Sequence, residues 1–164
     1  MRLFWERGYE QTSISDLTRE LEISAPSLYA AFGDKRTLFE EAVARYEASP
    51  KSVTTAGLAG TNAREVLKAM FDRASEEYPS AAHPRGCLVN TEPGLSVNRT
   101  QNREITAARL REVAADREAV PPDAETLAAF THVLLVGLSS YARDGADEQQ
   151  LRRVTELALR VTGP

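Results

Sequence analysis

Apolar positions recur at three- and four-residue spacing along nearly the whole chain, and no stretch alternates apolar with polar residues long enough to read as a half-buried strand. An all-α protein is predicted. Leu3-Phe4-Trp5 up to Gly8 reads as the tail of an amphipathic helix, closed by glycine because glycine takes a positive φ at little cost. Thr12-Ser13 supplies a hydroxyl cap for a second helix with Ile14, Leu17 and Leu21 on one side. Ser24 caps a third, residues 25–32, with Pro26 in the first turn, where its missing N–H costs nothing. The pair is two short helices joined by a tight turn. Gly33-Asp34 closes it and opens a fourth helix with a stripe of Leu38, Phe39, Ala42, Val43 and Tyr46, which stops near Ser49-Pro50.

Residues 50–61 mix glycine, serine and threonine without strong periodicity, so a module boundary is placed close to Pro50, in a linker that is itself partly helical. Asn62-x-x-Glu65 reads as a capping pair for a helix with Val66, Leu67, Met70, Phe71 and Ala74, running to Tyr78-Pro79 and followed by the loop SAAHPRG. Cys87-Leu88-Val89 opens a short helical piece that Pro93-Gly94 interrupts. Residues 98–119 form a charged helix with a thin apolar edge at Ile105, Ala108 and Val113, ended by Pro121-Pro122. From Asp123 the pattern becomes apolar nearly all round at Val133-Leu134-Leu135-Val136-Gly137-Leu138, which marks a helix buried on several sides. Leu151, Val154, Leu157, Ala158 and Val161 mark the last helix.

A chain of 164 residues with 42% hydrophobic and 27% charged residues has the balance of a soluble globular protein and room for one core or two small modules. No apolar run reaches the roughly 20 residues that cross a bilayer, and Glu6 and Gly8 interrupt any secretion signal at the start. One cysteine excludes an internal disulfide framework and, with only His83 and His132 beside it, leaves no cluster at metal-ligand spacing, so a reducing cytoplasmic setting, no metal and no cofactor are expected. No nucleophile elbow, phosphate loop or supported carboxylate pair is visible, so no enzyme activity is expected.

The most informative stretch is TSISDLTRELEISAPSLYAAFGDKRTLFEEAV, residues 12–43. A helix that enters the major groove must present small or polar residues to base edges and keep its bulky ones for the core. Ala25, Pro26, Ser27 and Ala30 suit the first role, Leu28 and Phe32 the second. Thr12, Ser13, Ser27, Tyr29 and Lys35 add hydroxyls and an ammonium near helix starts, where backbone N–H groups also favour phosphates.

In its ordered hydroxyls, Leu28-Tyr29, Phe32-Gly33 and Lys35-x-x-Leu38-Phe39, together with LFWERGYE at residues 3–10, the sequence resembles the TetR family of bacterial transcriptional repressors. The resemblance implies a helix-turn-helix module over residues 1–49 with a short first helix, and a helical ligand-binding and dimerisation domain over residues 50–164. It also implies phosphate contacts by Thr12, Tyr29 and Lys35. Glu22 stands in the turn where the family has glycine, and a left-handed conformation there costs of order 1 kcal/mol. Residues 1–50 carry six Lys/Arg against nine Asp/Glu, so phosphate binding there depends on placement, not on net attraction.

In the second module the resemblance is looser, resting on Gly86 to Asn90 and on Ala142 to Ala146. Met70, Phe71, Tyr78, Cys87, Leu88 and Leu135 are expected to line a mostly apolar effector site, with Tyr78, Asn90 and His132 as polar anchors. A packed role is favoured for Cys87 over a redox one, and a core role for His132 over a ligand contact. Surplus apolar surface on residues 123–142 and 147–162 predicts a two-fold four-helix interface through Leu134, Leu138, Tyr141, Leu151, Val154, Leu157 and Val161. The function expected is a homodimeric, ligand-responsive repressor of operator DNA. The alternative is a helical ligand-binding or interaction module whose helix-turn-helix no longer binds DNA.

Overall fold

The computed structural model of the protein describes residues 1–114 and 123–161. Among the described residues the regular structure is entirely helical, and the chain divides into two compact units, Met1–Ser49 and Pro50–Pro164. No described helix is long and apolar enough to cross a membrane.

The first unit contains α1 (Arg2–Arg7), α2 (Ile14–Leu21), α3 (Ala25–Phe32) and α4 (Lys35–Glu47). Every helix after the first starts on a side-chain cap: Ser13 accepts from the Asp16 N–H, Ser24 from Ser27, and Asp34 from Thr37. The core joins Leu3, Phe4 and Trp5 of α1 with Leu17, Leu28 and the α4 stripe. Aromatic edges organise it, with Phe4 against Phe39 at 5.1 Å and Trp5 against Tyr46 at 5.0 Å between ring centroids. The turn between α2 and α3 places Glu22 at φ 55°, ψ 36°, while the Glu22 N–H donates to Arg19 O and the Ile23 N–H to Thr18 O. That pair of hydrogen bonds is the Schellman closure, here made with a glutamate in the left-handed region that glycine usually fills.

The second unit contains α5 (Val53–Gly57), α6 (Ala63–Glu77), α7 (Leu88–Thr91), a 3-10 turn Pro93–Leu95, α8 (Ser96–Ala114), α9 (Ala124–Arg143) and α10 (Glu148–Val161). α6 is the hub, packed by α5, α8, α9 and α10, and it buries Val66, Leu67, Met70, Phe71 and Ala74. Gly86 lies at φ 83°, and a Cβ on it would fall 2.8 Å from Ser139 Oγ. This close approach lets the Cys87 N–H donate to Ser139 Oγ at 2.8 Å, pinning the start of α7 to α9.

Two expected features differ. The inner edge of α8 is Thr106, Ala107 and Leu110, whereas Ile105 faces solvent and Ala108 and Val113 are half-buried. Thr106 tolerates burial because its hydroxyl donates to the Asn102 carbonyl at 2.8 Å. Helix α9 does not present apolar residues to its own unit on all sides: Leu127, Leu135 and Leu138 are buried, but Phe130, Val133 and Tyr141 are exposed. The expected end of α8 at Pro121-Pro122 lies outside the described residues, as does the Val161 side chain.

Candidate functional site

In the first unit α3 has two sharply different sides. Leu28 is fully buried, while Pro26, Ser27, Tyr29 and Ala30 are exposed and Ala25 is half-buried. Ser24 Oγ and Ser27 Oγ lie 2.8 Å apart at the helix start, so the exposed hydroxyl of Ser27 belongs to the cap. Tyr29 projects outward, 48% exposed. Lys35, on the first turn of α4, holds its ammonium 4.2 Å from the centroid of Tyr9, a cation–π contact worth about 0.5–1 kcal/mol at an exposed site. Tyr9 thus positions Lys35, a role the sequence carried only as part of the LFWERGYE string.

Thr12 is corrected. It is fully buried, and its hydroxyl donates to the Gly8 carbonyl at 2.7 Å and toward Leu3 O at 3.4 Å, tying α1 to the start of α2. Its side chain therefore holds the unit together and has no outward reach to a phosphate. Ser13 is exposed, but its hydroxyl is engaged with Asp16 in a reciprocal capping box. Those hydrogen bonds from Ser13, aided by Arg7 and Arg19, hold the Asp16 carboxyl below the usual range, so a negative charge sits at the α2 N-terminus.

The second unit carries an open cleft of about 520 Å³, lined by Asn90, Thr91, Glu92, Pro93, Arg99, His132, Val133 and Val136. Of the eight expected effector contacts, Asn90 and His132 are on it. Met70, Phe71, Tyr78, Cys87, Leu88 and Leu135 belong to the packed core instead. Tyr78 is enclosed, its hydroxyl reached by Asn90 Nδ2 at 3.5 Å, and burial foremost, then Cys87, pushes its phenol well above the usual range. Cys87 is buried beside it.

Arg99, unforeseen from the sequence, organises the cleft floor. It donates to Val89 O at 2.8 Å, Glu92 O at 2.7 Å and Pro93 O at 3.3 Å, satisfying carbonyls that the end of α7 leaves without helical partners. His132 is half-buried at the cleft wall, and burial, then Arg103 and Arg99, holds its imidazole below the usual histidine range, favouring the neutral form. Glu92 is buried, with Oε1 accepting from the Gly94 N–H at 3.3 Å. Among the described residues no group of histidine, cysteine, aspartate and glutamate could hold a metal ion.

Of the expected interface residues, Leu138 and Leu151 are corrected: at 2% and 0% exposure they belong to the core of their own unit. The outward positions are Tyr141 and Leu157, with Leu134 and Val154 half-buried, joined by Phe130 and by Val133 at 70% exposure. On α9, Phe130, Val133, Gly137 and Tyr141 form a single stripe at three- and four-residue spacing.

The family model described as "Bacterial regulatory proteins, tetR family" matches residues 1–42. The HTH-type transcriptional repressor ComR of Escherichia coli (strain K12) is 29% identical over 176 residues, covering 98% of this chain and 84% of the relative. Among solved structures, the TetR family transcriptional regulator CifR, as a cysteine mutant complexed with 26-bp double-strand operator DNA, is 35% identical. That match has a TM-score of 0.89 and covers 97% of this chain and 91% of CifR. A TetR transcriptional regulator from Rhodococcus sp. RHA1 is 32% identical with a TM-score of 0.63, covering 98% of this chain and 93% of its own. With 35% identity sustained over nearly the full length of both chains, the protein belongs to the TetR family of transcriptional regulators.

Proposed function

We propose that the protein is a repressor that reads operator DNA as a homodimer and releases it when a small molecule binds the second unit. The observation that carries DNA reading is the two-sidedness of α3: Leu28 anchors it in the core, and its outward side offers the small residues Pro26, Ser27 and Ala30 together with the projecting Tyr29. Small side chains let a helix seat deeply in the major groove, where Pro26, Ser27 and Ala30 meet base edges. Tyr29 and Lys35 hold phosphates on either side, Lys35 with its ammonium braced on Tyr9. The CifR relative is seen with operator DNA, which supports this reading. The outward stripe of α9 with Leu157 of α10 supports pairing of two copies. Pairing sets the distance between the two reading helices, which must be about 34–36 Å or a helical-turn multiple for two half-sites on one side of B-DNA.

The test is a salt-dependent gel shift on the DNA upstream of the protein's own coding sequence. A specific shift is expected, and Lys35→Ala should weaken all sequences alike while lowering the salt slope by about 0.9 per lost contact per subunit. Failure to shift that DNA above random DNA at any salt would reject the reading.

A further inference from the structure

Three elements meet at the cleft of the second unit: α7 with the turn after it gives Asn90, Glu92 and Pro93, α8 gives Arg99, and α9 gives His132 and Val136. Both charged groups in the lining are turned to the protein itself. Arg99 donates to three backbone carbonyls, and the buried Glu92 accepts from the Gly94 N–H. Their charges are opposite, so the lining offers no net attraction to an ion of either sign. The Thr91 hydroxyl is engaged within α7, donating to the Cys87 carbonyl at 2.8 Å. The groups left for a ligand are neutral ones. His132 has no hydrogen-bond partner among the described residues, and Asn90 makes one long contact, from Nδ2 to the Tyr78 hydroxyl at 3.5 Å. Burial, then Arg103 and Arg99, favours the uncharged imidazole, which carries one donor and one acceptor, and the Asn90 amide keeps a carbonyl oxygen and an N–H. Taking an ionised group out of water costs far more than taking out an amide or a hydroxyl, and here each charge it would meet stands with its opposite.

Val133 has a different place in the cleft. At 70% exposure it stands at the rim, and it also belongs to the outward stripe of α9 with Phe130, Gly137 and Tyr141. A second copy that covers the stripe therefore covers this rim as well.

We propose that the cleft binds an uncharged organic molecule through a carboxamide or hydroxyl group held by His132 and Asn90, its apolar body against Val136 and Pro93, and that the second copy, packed on Val133, closes the rim over it. The proposal deepens the reading of the second unit as the effector-binding one. The closure rests on the pairing of two copies through α9, whereas the ligand class does not.

The experiment is calorimetric titration of the full chain, at neutral pH and fixed ionic strength, with two matched pairs of probes: phenylacetamide against phenylacetate, and benzyl alcohol against benzylammonium. At least one neutral probe should bind, about tenfold or more tightly than its matched ion. His132→Leu should weaken that neutral probe about three- to tenfold, the size of one lost hydrogen bond, while His132→Gln, which keeps a donor and an acceptor, should retain most of the affinity. Asn90→Ala is an independent second variant with the same expected loss. Leu157→Glu, on α10 and outside the cleft lining, should also weaken the neutral probe as it separates the copies. An ion bound as tightly as its neutral match, or no binding of either neutral probe, would overturn the ligand class. So would full affinity in both the His132→Leu and Asn90→Ala proteins. A monomeric Leu157→Glu chain with undiminished affinity would overturn the closure and leave the ligand class standing. Binding that depends on His132 and Asn90 yet leaves the gel shift unchanged would uphold the site and reject the effector reading.

Discussion

Helices α3 and α9 both anchor one side in a core and present the other to solvent, yet what they present is opposite in kind. α3 buries Leu28 and exposes the small side chains of Pro26, Ser27 and Ala30 beside Tyr29, its one large outward residue. α9 buries Leu135 and Leu138 and exposes Phe130, Val133 and Tyr141, around a glycine whose Cβ position opens on empty space. A surface of small residues suits close approach to a rigid, hydrated groove, where shape and hydrogen bonds decide. A stripe of large apolar residues gains by leaving water, which another protein surface provides. One side of each helix maintains its unit and the other is free to serve a partner, so substitutions on the two sides should separate stability from association.

The largest effect expected is on association. Val133→Glu, or Leu157→Glu on α10, puts a charge in the middle of the outward stripe and should convert dimers to monomers by light scattering while far-UV helicity is kept. A dimer that survives both substitutions would remove the contrast between α9 and α3. Leu138→Ala and Leu28→Ala, on the inner sides, should each cost about 2–5 kcal/mol in urea unfolding, since a fully packed leucine leaves a cavity. If Leu138→Ala instead changed oligomeric state with stability intact, the division of α9 into two sides would be wrong.

Gly86→Ala tests how α9 holds its neighbour. The left-handed backbone and the contact with Ser139 both oppose a methyl group, and a loss of at least about 1–2 kcal/mol in unfolding free energy is expected. The smallest effect belongs to the outer side of α3. Tyr29→Phe should reduce operator affinity by about 0.5–1.5 kcal/mol in a gel-shift titration while leaving the melting temperature unchanged. A large fall in melting temperature would mean that Tyr29 supports the core and not a partner.

The first unit was largely legible because its determinants are local. Ser13, Ser24 and Asp34 each act on an N–H three residues away, and Gly8 and Gly33 close helices within their own turns. Thr12 was misread for a reason of the same scale. A hydroxyl beside a helix start reads as outward in a linear pattern, and only the return of the chain past Gly8 and Leu3 turns it into the core. In the second unit, α8 misled because arginines occupy the start of its inner side, which left Ile105, Ala108 and Val113 as the apparent apolar edge in place of Thr106, Ala107 and Leu110. α9 is apolar on so many sides that spacing alone could not separate Leu138, which packs inward, from Val133, which does not.

By itself the sequence determined the helices, their caps and turns, the two-helix reading motif and the likeness to a family, because each depends on residues three to five positions apart or on their order. Tertiary structure alone decided which side of α9 faces its own core and that Met70, Phe71 and Tyr78 pack while Asn90 and His132 line a cleft. It also decided that Arg99 lines that cleft while donating to the carbonyls of Val89, Glu92 and Pro93. These facts depend on segments tens of residues apart meeting in space, such as Gly86 against Ser139, and hydrophobic burial, being non-directional, specifies that a side chain leaves water without specifying against which neighbour.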